Sequence, residues 1–313
     1  MISNNTEICI QATGLTKRFG PRVAVDRLNL EVFRGEVFAL LGPDGAGKTT
    51  TLRMLSGILA HDDGQARLWG FDTVRQTRQM KEHLGYLPQT FGLYDDLTVA
   101  ENINFYADLC RVPRDQRRQR LPELLAFANL TPFQDRLAAK LSGGMRQKLG
   151  LICILVHRPR LLLLDEPTSG MDPVSRQEFW FILHELLKTD VTIFLATPDM
   201  DEAERAHRVG LMHQGRLLAA ESPQALKKTF AGELLELRTP DLRAARRILT
   251  GQPYLRQVLA MGDRIVLTVD RAEQAVGLIE QTLRDAGVTA VQISETEPGL
   301  EDLFVQITGR QEG

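Results

Sequence analysis

A short segment at residues 42–49 has the composition of a phosphate-binding loop. Its letters, GPDGAGKT, match the pattern G-x4-G-K-[ST] and stand between an apolar run and a helical pattern. Glycines in such a loop let backbone N–H groups converge on phosphate oxygens, and the helix N-terminus adds partial positive charge. The pattern predicts a nucleotide-phosphate site. Its members would be Gly42, Pro43, Asp44, Gly45, Ala46, Gly47, Lys48, Thr49 and Thr50.

Two side chains of this segment have chemistry that phosphoryl transfer requires. The Lys48 ammonium would reach the β- and γ-phosphates of a nucleoside triphosphate and serve catalysis there. The Thr49 hydroxyl would ligate Mg²⁺, since Mg²⁺ prefers oxygen ligands and usually shares them with substrate phosphates.

Two carboxylates follow a second apolar run, residues 161–164. Asp165, at the carboxyl end of a predicted strand, suits a contact with Mg²⁺. Glu166 suits a general base that polarises water for attack on the γ-phosphate. An exposed strand end has the same pattern, but the phosphate loop in the same chain favours the catalytic interpretation.

Ser142, Gly143 and Gly144 precede an apolar helical segment, residues 149–156. A serine at this position is typical of a helix cap, and a capped helix N-terminus also binds anions. One phosphate loop does not obviously need a second phosphate site within its own chain. Two chains that face each other would need one.

With these motifs, residues 5 to about 228 resemble the ATP-binding subunits of ABC transporters. The resemblance implies ATP and Mg²⁺ as cofactors. It also implies that two subunits close around two ATP molecules, each site joining the phosphate loop of one to the Ser-Gly-Gly segment of the other. The second ATPase subunit would be a copy of this chain or a different one. An integral membrane permease would be the further partner, which would place this chain at the cytoplasmic face of the cell membrane.

The resemblance also implies roles for three further residues. Phe19 matches the aromatic residue that stacks on adenine, with a core aromatic as the alternative. Gln89 matches the glutamine that senses Mg²⁺ and the attacking water, and residues 91–98 lie where the family docks its membrane partner. Residues 169–172, from Ser169 to Asp172, match the loop that crosses the dimer interface. Segments 91–94, 201–204 and 298–304 look like those of multidrug or sodium-type exporter ATPases.

Pro198 departs from the family pattern, which has a histidine at this position. Proline has neither a side-chain donor nor a backbone N–H, so a contact to the γ-phosphate is lost. Loss of one preorganised donor typically costs about 10²–10³ in rate. Two interpretations stay open: a slow site that pairs with a histidine-bearing partner, or a site in which Glu166 and Gln89 suffice. We expect His207 and His213 to be ordinary surface or packing histidines.

Composition limits the remaining classes. The chain has 313 residues, 25% of them charged, and a net charge of −2, which is typical of a globular protein and argues against nucleic acid as a partner. Three widely spaced cysteines favour reduced thiols. The first twelve residues lack the pattern of a secretion signal, and no apolar run approaches the roughly 20 residues of a membrane span. A translation or repair factor, an ATP-gated regulatory module and a P-loop kinase are the weaker alternatives.

The elements that would position these residues indicate an α/β fold. We expect an ATPase domain at residues 1–228 with a mostly parallel sheet, an antiparallel β subdomain and a helical subdomain. The helix after the loop is predicted to run from Lys48 to Leu59. Residues 229–313 have a βαββαβ order, typical of a small ferredoxin-like α+β domain. Its last strand is predicted at residues 288–293 and a closing helix at 300–308.

Overall fold

The computed structural model describes residues 7–288 and 292–309. The chain folds into two compact units, Met1–Pro223 and Gln224–Gly313, which divide a few residues before the expected boundary. Within the described ranges, no helix has the length and apolar character needed to cross a membrane. The three cysteines, Cys9, Cys110 and Cys153, are free.

The first unit alternates strands and helices. Its strands are β1 (Ile8–Phe19), β2 (Arg22–Phe33), β3 (Val37–Leu41), β4 (Asp63–Leu68), β5 (Phe71–Asp72), β6 (Leu84–Leu87), β7 (Leu161–Asp165), β8 (Thr192–Thr197), β9 (Arg208–His213) and β10 (Arg216–Glu221). Its helices are α1 (Lys48–Leu55), α2 (Thr77–Lys81), α3 (Val99–Leu109), α4 (Arg114–Phe127), α5 (Gly143–Leu155), α6 (Pro173–Leu187) and α7 (Met200–Glu204).

A six-stranded sheet forms the centre of this unit, in the order β10-β9-β3-β8-β7-β6. The strands from β9 to β6 pair in parallel, and β10 adds an antiparallel edge. Every residue of β3, β7 and β8 is buried, as expected of apolar strands covered on both faces. Because β9, β3, β8, β7 and β6 run in parallel, their carboxyl ends meet at one edge of the sheet. The phosphate loop follows β3 at this edge, and Glu166 follows β7.

A second sheet, in the order β2-β1-β4-β5, is antiparallel. A turn at Gly20 and Pro21 joins β1 to β2. Inward-facing side chains of this sheet, among them Ile10 and Leu30, share one hydrophobic core with Phe38 of β3 and Phe194 of β8. This shared core fixes the antiparallel sheet against the central one.

The helical region holds α3, α4 and α5. Thr98 and Glu101 form a reciprocal capping box at the start of α3. The expected helix from Lys48 to Leu59 is too long, because α1 ends at Leu55 and Gly57 then adopts a left-handed φ of 67°.

The second unit follows α8 (Pro223–Lys227), which spans the boundary between the units. Its further elements are β11 (Glu233–Arg238), α9 (Leu242–Leu249), β12 (Gln257–Met261), β13 (Arg264–Val269), α10 (Ala272–Asp285), β14 (Gln292–Thr296) and α11 (Leu300–Gly309). The sheet order β12-β13-β11-β14, with all neighbours antiparallel, confirms the ferredoxin-like pattern.

The last strand differs from its prediction at 288–293. Residues 289–291 lie outside the described residues, and β14 continues through polar Ser294, Glu295 and Thr296. These residues pair with β11, so cross-strand pairing overrides their weak strand preference.

Phe194 provides a test of the core of the first unit. It stacks on Phe38 with ring centroids 5.4 Å apart, and both side chains are fully buried. Phe194→Ala is expected to lower the free energy of unfolding by about 3–5 kcal/mol, because it leaves a cavity. Both tryptophans, Trp69 and Trp180, belong to the first unit, so tryptophan fluorescence during urea unfolding reports on that unit.

The matched control is Phe181→Ala. Phe181 lies on α6 and is 64% exposed, so its loss should change the free energy of unfolding by under about 0.5 kcal/mol. Equal effects of the two substitutions would contradict the position of Phe194 in the core.

Candidate functional site

The loop between β3 and α1 requires glycine at two positions. A Cβ atom on Gly42 would lie 2.2 Å from the Met212 carbonyl oxygen, and one on Gly47 would lie 2.4 Å from that of Ala24. Gly47 also has a φ of 110°, a conformation that side chains rarely permit. No side chain caps the α1 N-terminus, so its N–H groups remain available to an anion.

Lys48 is held inside this loop. Its Nζ donates to the carbonyl oxygens of Gly42, at 2.7 Å, and Pro43, at 3.1 Å, and lies 3.8 Å from Glu166 Oε1. Burial lowers the Lys48 pKa, whereas the charges of Glu166, Asp44 and Asp165 oppose that shift. A phosphate in the loop would therefore meet a buried cation that is already oriented.

Thr49 joins the loop to the end of β7. Its Oγ1 donates a 3.0 Å hydrogen bond to Asp165 Oδ1. Burial raises the Asp165 pKa, and the hydrogen bond from Thr49 opposes this. A hydroxyl and a carboxylate side by side are oxygen donors that fit Mg²⁺, with phosphate oxygens supplying further ligands. The residues present thus suit the expected ion.

Glu166 lies beyond β7 with its side chain turned toward Lys48 and Gln89. Gln89 Nε2 donates to Glu166 Oε2 at 2.9 Å. The Glu166 backbone has a φ of 49°, unusual for a non-glycine residue, and its N–H donates to the Ala196 carbonyl at 2.9 Å. Burial raises the Glu166 pKa, and Lys48 opposes this. The carboxylate is thus fixed at the cleft wall in an arrangement that suits a general base.

Lys48, Thr49, Gln89 and Glu166 line one cleft of about 730 Å³, and Asp165 joins it through its hydrogen bond from Thr49. The cleft wall includes Phe19, Asp44, Gly45, Gly47, Lys48, Thr49, Thr50, Gln89, Glu166 and Pro198. Phe19 is 51% exposed, so the alternative of a core aromatic is wrong.

His207 and His213 are not among the lining residues, and His207 Nδ1 accepts a 3.0 Å hydrogen bond from the Val37 N–H. His207 is exposed, so it is a surface histidine that hydrogen-bonds the backbone of β3.

Eight of the expected site residues are not part of the cleft wall. Gly42, Pro43, Ala46 and Asp165 lie in the loop or at the end of β7, whereas Ser142, Gly143, Gly144 and Asp172 lie at other helix ends. Ser142 caps α5 by accepting from the Met145 N–H at 3.3 Å, and Ser142 and Gly143 are exposed. Asp172 caps α6 by accepting from the N–H groups of Val174 and Ser175 at 3.1 and 3.0 Å.

Gly144 brings these two helix ends together. A Cβ atom on Gly144 would lie 2.6 Å from Ser175 Oγ, so glycine is required for this close approach. Ser175 Oγ also donates to Asp172 Oδ2 at 2.6 Å, and hydrogen bonds from Ser175 lower the Asp172 pKa. The N-termini of α5 and α6 therefore meet at a surface separate from the phosphate loop.

Sequence reasoning missed Arg22, Ala24 and Ser169, which also line the cleft. Arg22 and Ala24 belong to β2, and nothing local in their sequence points to a ligand. Only the packing of the antiparallel sheet brings them to the loop. Ser169 was predicted as part of the dimer-crossing loop rather than as a wall of this cleft.

Comparisons with known proteins agree with this geometry. A family model described as "ABC transporter" matches residues 25–169. The daunorubicin resistance ATP-binding protein DrrA2 of Streptomyces coeruleorubidus is 33% identical, over 96% of this chain and 95% of its own length. The chain belongs to the ATP-binding proteins of ABC transporters.

Two further matches define the extent of the similarity. The protein named "Probable multidrug ABC transporter ATP-binding protein YbhF" of Escherichia coli strain K12 is 43% identical over 96% of this chain. The match covers 52% of YbhF, so this chain spans about half the length of that relative. A solved structure titled "Structure of ATP binding subunit of ABC transporter" is 26% identical in sequence, with a TM-score of 0.65. The match covers 71% of this chain and 93% of the chain in that structure.

Gly47→Ala tests the loop of this ABC protein. The Cβ clash with Ala24 and the left-handed φ should distort the loop and weaken binding of a fluorescent ATP analogue at least about tenfold. Gly262→Ala is the control, since Gly262 also has a positive φ, 58°, but nothing lies within 4 Å of its added Cβ. Unchanged nucleotide affinity in Gly47→Ala would exclude this loop as the phosphate site.

Proposed function

We propose that this chain is an ATP-hydrolysing motor subunit of an ABC exporter of drugs or other small molecules. The observation that carries the proposal is the meeting of Lys48, Thr49, Gln89 and Glu166 at one cleft, with Asp165 hydrogen-bonded to Thr49. The names of two relatives, which refer to multidrug transport and daunorubicin resistance, support export. We also propose that residues 1–228 form the ATP-binding domain and residues 229–313 an accessory domain.

The proposed reaction follows from the positions of these groups. The loop N–H groups and Lys48 bind the β- and γ-phosphates, and Phe19 stacks on adenine. Thr49, Asp165 and Gln89 would hold Mg²⁺, which neutralises phosphate charge when bound. Glu166 accepts a proton from a water molecule. The oxygen of that water bonds to the γ-phosphorus, while the bond between the γ-phosphorus and the bridging β-phosphate oxygen breaks. The products are ADP and inorganic phosphate.

The exposed α5 N-terminus supports a second ATPase subunit. Ser142 and Gly143 lie outside this chain's own cleft, where their N–H groups can serve a phosphate held by another chain. Asp172 lies beside them and would contact the same partner. ATP binding would favour the closed pair, and hydrolysis would return it to the open state.

An aromatic cluster supports docking to a membrane permease at the cytoplasmic face. Phe91 packs on Tyr106 at 4.8 Å between ring centroids, and Tyr94 packs on Phe105 at 4.5 Å. Tyr94 and Phe105 are 45% and 37% exposed. Such partly exposed aromatic residues are enriched at protein interfaces.

A second candidate function is an ATP-gated module with little turnover of its own. Pro198 is exposed and lines the cleft, yet it supplies no hydrogen-bond donor to a phosphate. Glu166 argues against a pure binding role, because nucleotide binding alone needs no general base.

Glu166→Gln tests the hydrolytic function. Since a general base contributes about 10²–10⁴ in rate, steady-state ATP hydrolysis should fall by at least about 100-fold while nucleotide binding persists. The control is Glu280→Gln, an exposed residue of α10 in the second unit. Wild-type activity should rise faster than linearly with enzyme concentration if two chains form each site. A rate that is linear in enzyme and insensitive to Glu166→Gln would contradict the proposal.

Pro198→His tests whether the missing histidine limits hydrolysis, and so distinguishes a fully active motor subunit from an ATP-gated module with little turnover of its own. We expect wild-type hydrolysis to be slow and Pro198→His to raise it at least about tenfold, because the imidazole restores a donor to the γ-phosphate. Pro198→Ala is the control, since it removes the ring without supplying a donor. Equal rates for wild type and Pro198→His would mean that Glu166 and Gln89 suffice and that a symmetric motor is the better account.

A further inference from the structure

A second cavity, of about 660 Å³, lies in the first unit and shares no lining residue with the nucleotide cleft. Pro159 and Arg160 lead into β7, and Val191 leads into β8, so the cavity lies at the amino ends of these strands. The nucleotide cleft lies at their carboxyl ends. We call this space the amino-end cavity, and nothing in the proposed ATPase chemistry uses it.

One part of the amino-end cavity wall is apolar. Leu124, Leu155, Leu186 and Val191 contribute buried side chains, each no more than 8% exposed. Two partly buried aromatic rings, Trp69 and Phe127, also line it. The volume falls within the roughly 300–1,000 Å³ of typical small-molecule sites, which are apolar with a few convergent polar groups.

Four arginines line the rest of the wall, namely Arg34, Arg120, Arg158 and Arg160. The Arg120 guanidinium donates to the carbonyl oxygens of Val156 and, at 3.0 Å, Leu155, which fixes it at the C-terminus of α5. Burial lowers the Arg120 pKa, and the neighbouring charge of Arg158 lowers it further. Arg158 and Arg160 are exposed at the rim, and no ion pair is seen for either within residues 7–288 and 292–309.

Three of the four carboxylates of the wall have a cation partner. Arg34 pairs with Glu7 at 2.9 Å and with Asp190. Lys188 pairs with Glu185 at 2.6 Å. With Lys188 counted, five cations face the four carboxylates of the whole wall. This small positive surplus lies at Arg158 and Arg160, for which no ion pair is seen among the described residues.

We propose that the amino-end cavity binds a soluble amphipathic organic anion. The apolar, preferably aromatic, body lies against Trp69, Phe127 and the leucines. The carboxylate, sulfonate or phosphate group lies at Arg158 and Arg160, whose guanidinium groups suit planar bidentate contacts with such anions. An anion there also relieves the repulsion between Arg120 and Arg158.

The test uses two probes that differ in their charge. 8-Anilinonaphthalene-1-sulfonate is an aromatic anion, and N-phenyl-1-naphthylamine is its neutral counterpart. Titration of the 313-residue chain should give saturable emission with one sulfonate probe per chain, bound at least about tenfold more tightly than the neutral probe. Excess ADP with Mg²⁺ should leave both affinities unchanged. Trp69→Phe should reduce the probe emission that is sensitised through tryptophan.

Substitutions locate the charge and the cavity separately. Arg158→Gln combined with Arg160→Gln should weaken the sulfonate probe about tenfold or more and leave the neutral probe unaffected. Arg118→Gln is the matched control, an exposed arginine of α4 outside the cavity wall. Thr189→Trp, at an exposed wall position, should obstruct the cavity and weaken both probes. Displacement by ADP, unsaturable binding, or unchanged affinity in the double arginine variant would overturn the proposal.

Discussion

The hydrogen bond between Thr49 and Asp165 depends on a single constraint, the order of the parallel strands. Neighbours in the sheet run β3, β8, β7, β6, so the segments that follow them emerge side by side at one edge. Leu41 pairs with Thr197, and Asp165 pairs with Ala196. This register carries the phosphate loop, Pro198, Glu166 and Gln89 to one cleft in the order of their strands. A slip of one residue in any pair would turn these side chains to the opposite face.

Helix α5 links three parts of the first unit: the surface at Ser142, the segment of Asp95 and the amino-end cavity. Its N-terminus bears exposed Ser142, its first turn bears Arg146, and its C-terminal carbonyl groups accept from Arg120. Arg146 donates to Asp95 at 2.6 Å, in the segment that we propose to face the permease. A displacement of that segment would therefore act directly on the helix whose N-terminus we propose to face the ATP of a partner subunit. The amino-end cavity touches the other end of the same helix at Leu155.

The parts of the fold that sequence predicts are those with local causes. An apolar run bounded by glycine marks β3, and an apolar run before Asp165 marks β7, because each strand is buried on both faces. The contact of Gly144 with Ser175 could not be predicted, since it depends on how α5 and α6 pack. The same holds for Arg22 in the cleft, and for the amino-end cavity, whose walls come from distant segments. The polar end of β14 forms a strand through pairing rather than through its own preference.

In a pair of subunits this chain would contribute to two ATP sites, its own cleft and the site on the partner's phosphate loop. Pro198 belongs to only the first of these. The missing donor affects the cleft built on this chain's own loop, because Pro198 lies on that wall. Ser142 and Gly143 lie on another surface, where the Ser142 cap and the Gly144 contact with Ser175 are intact. A site completed by these residues on a partner's loop would therefore keep its full set of donors. If two chains pair as we propose, loss of a donor in one site would leave the chain able to support hydrolysis in the other, so an unequal pair is chemically consistent with the fold.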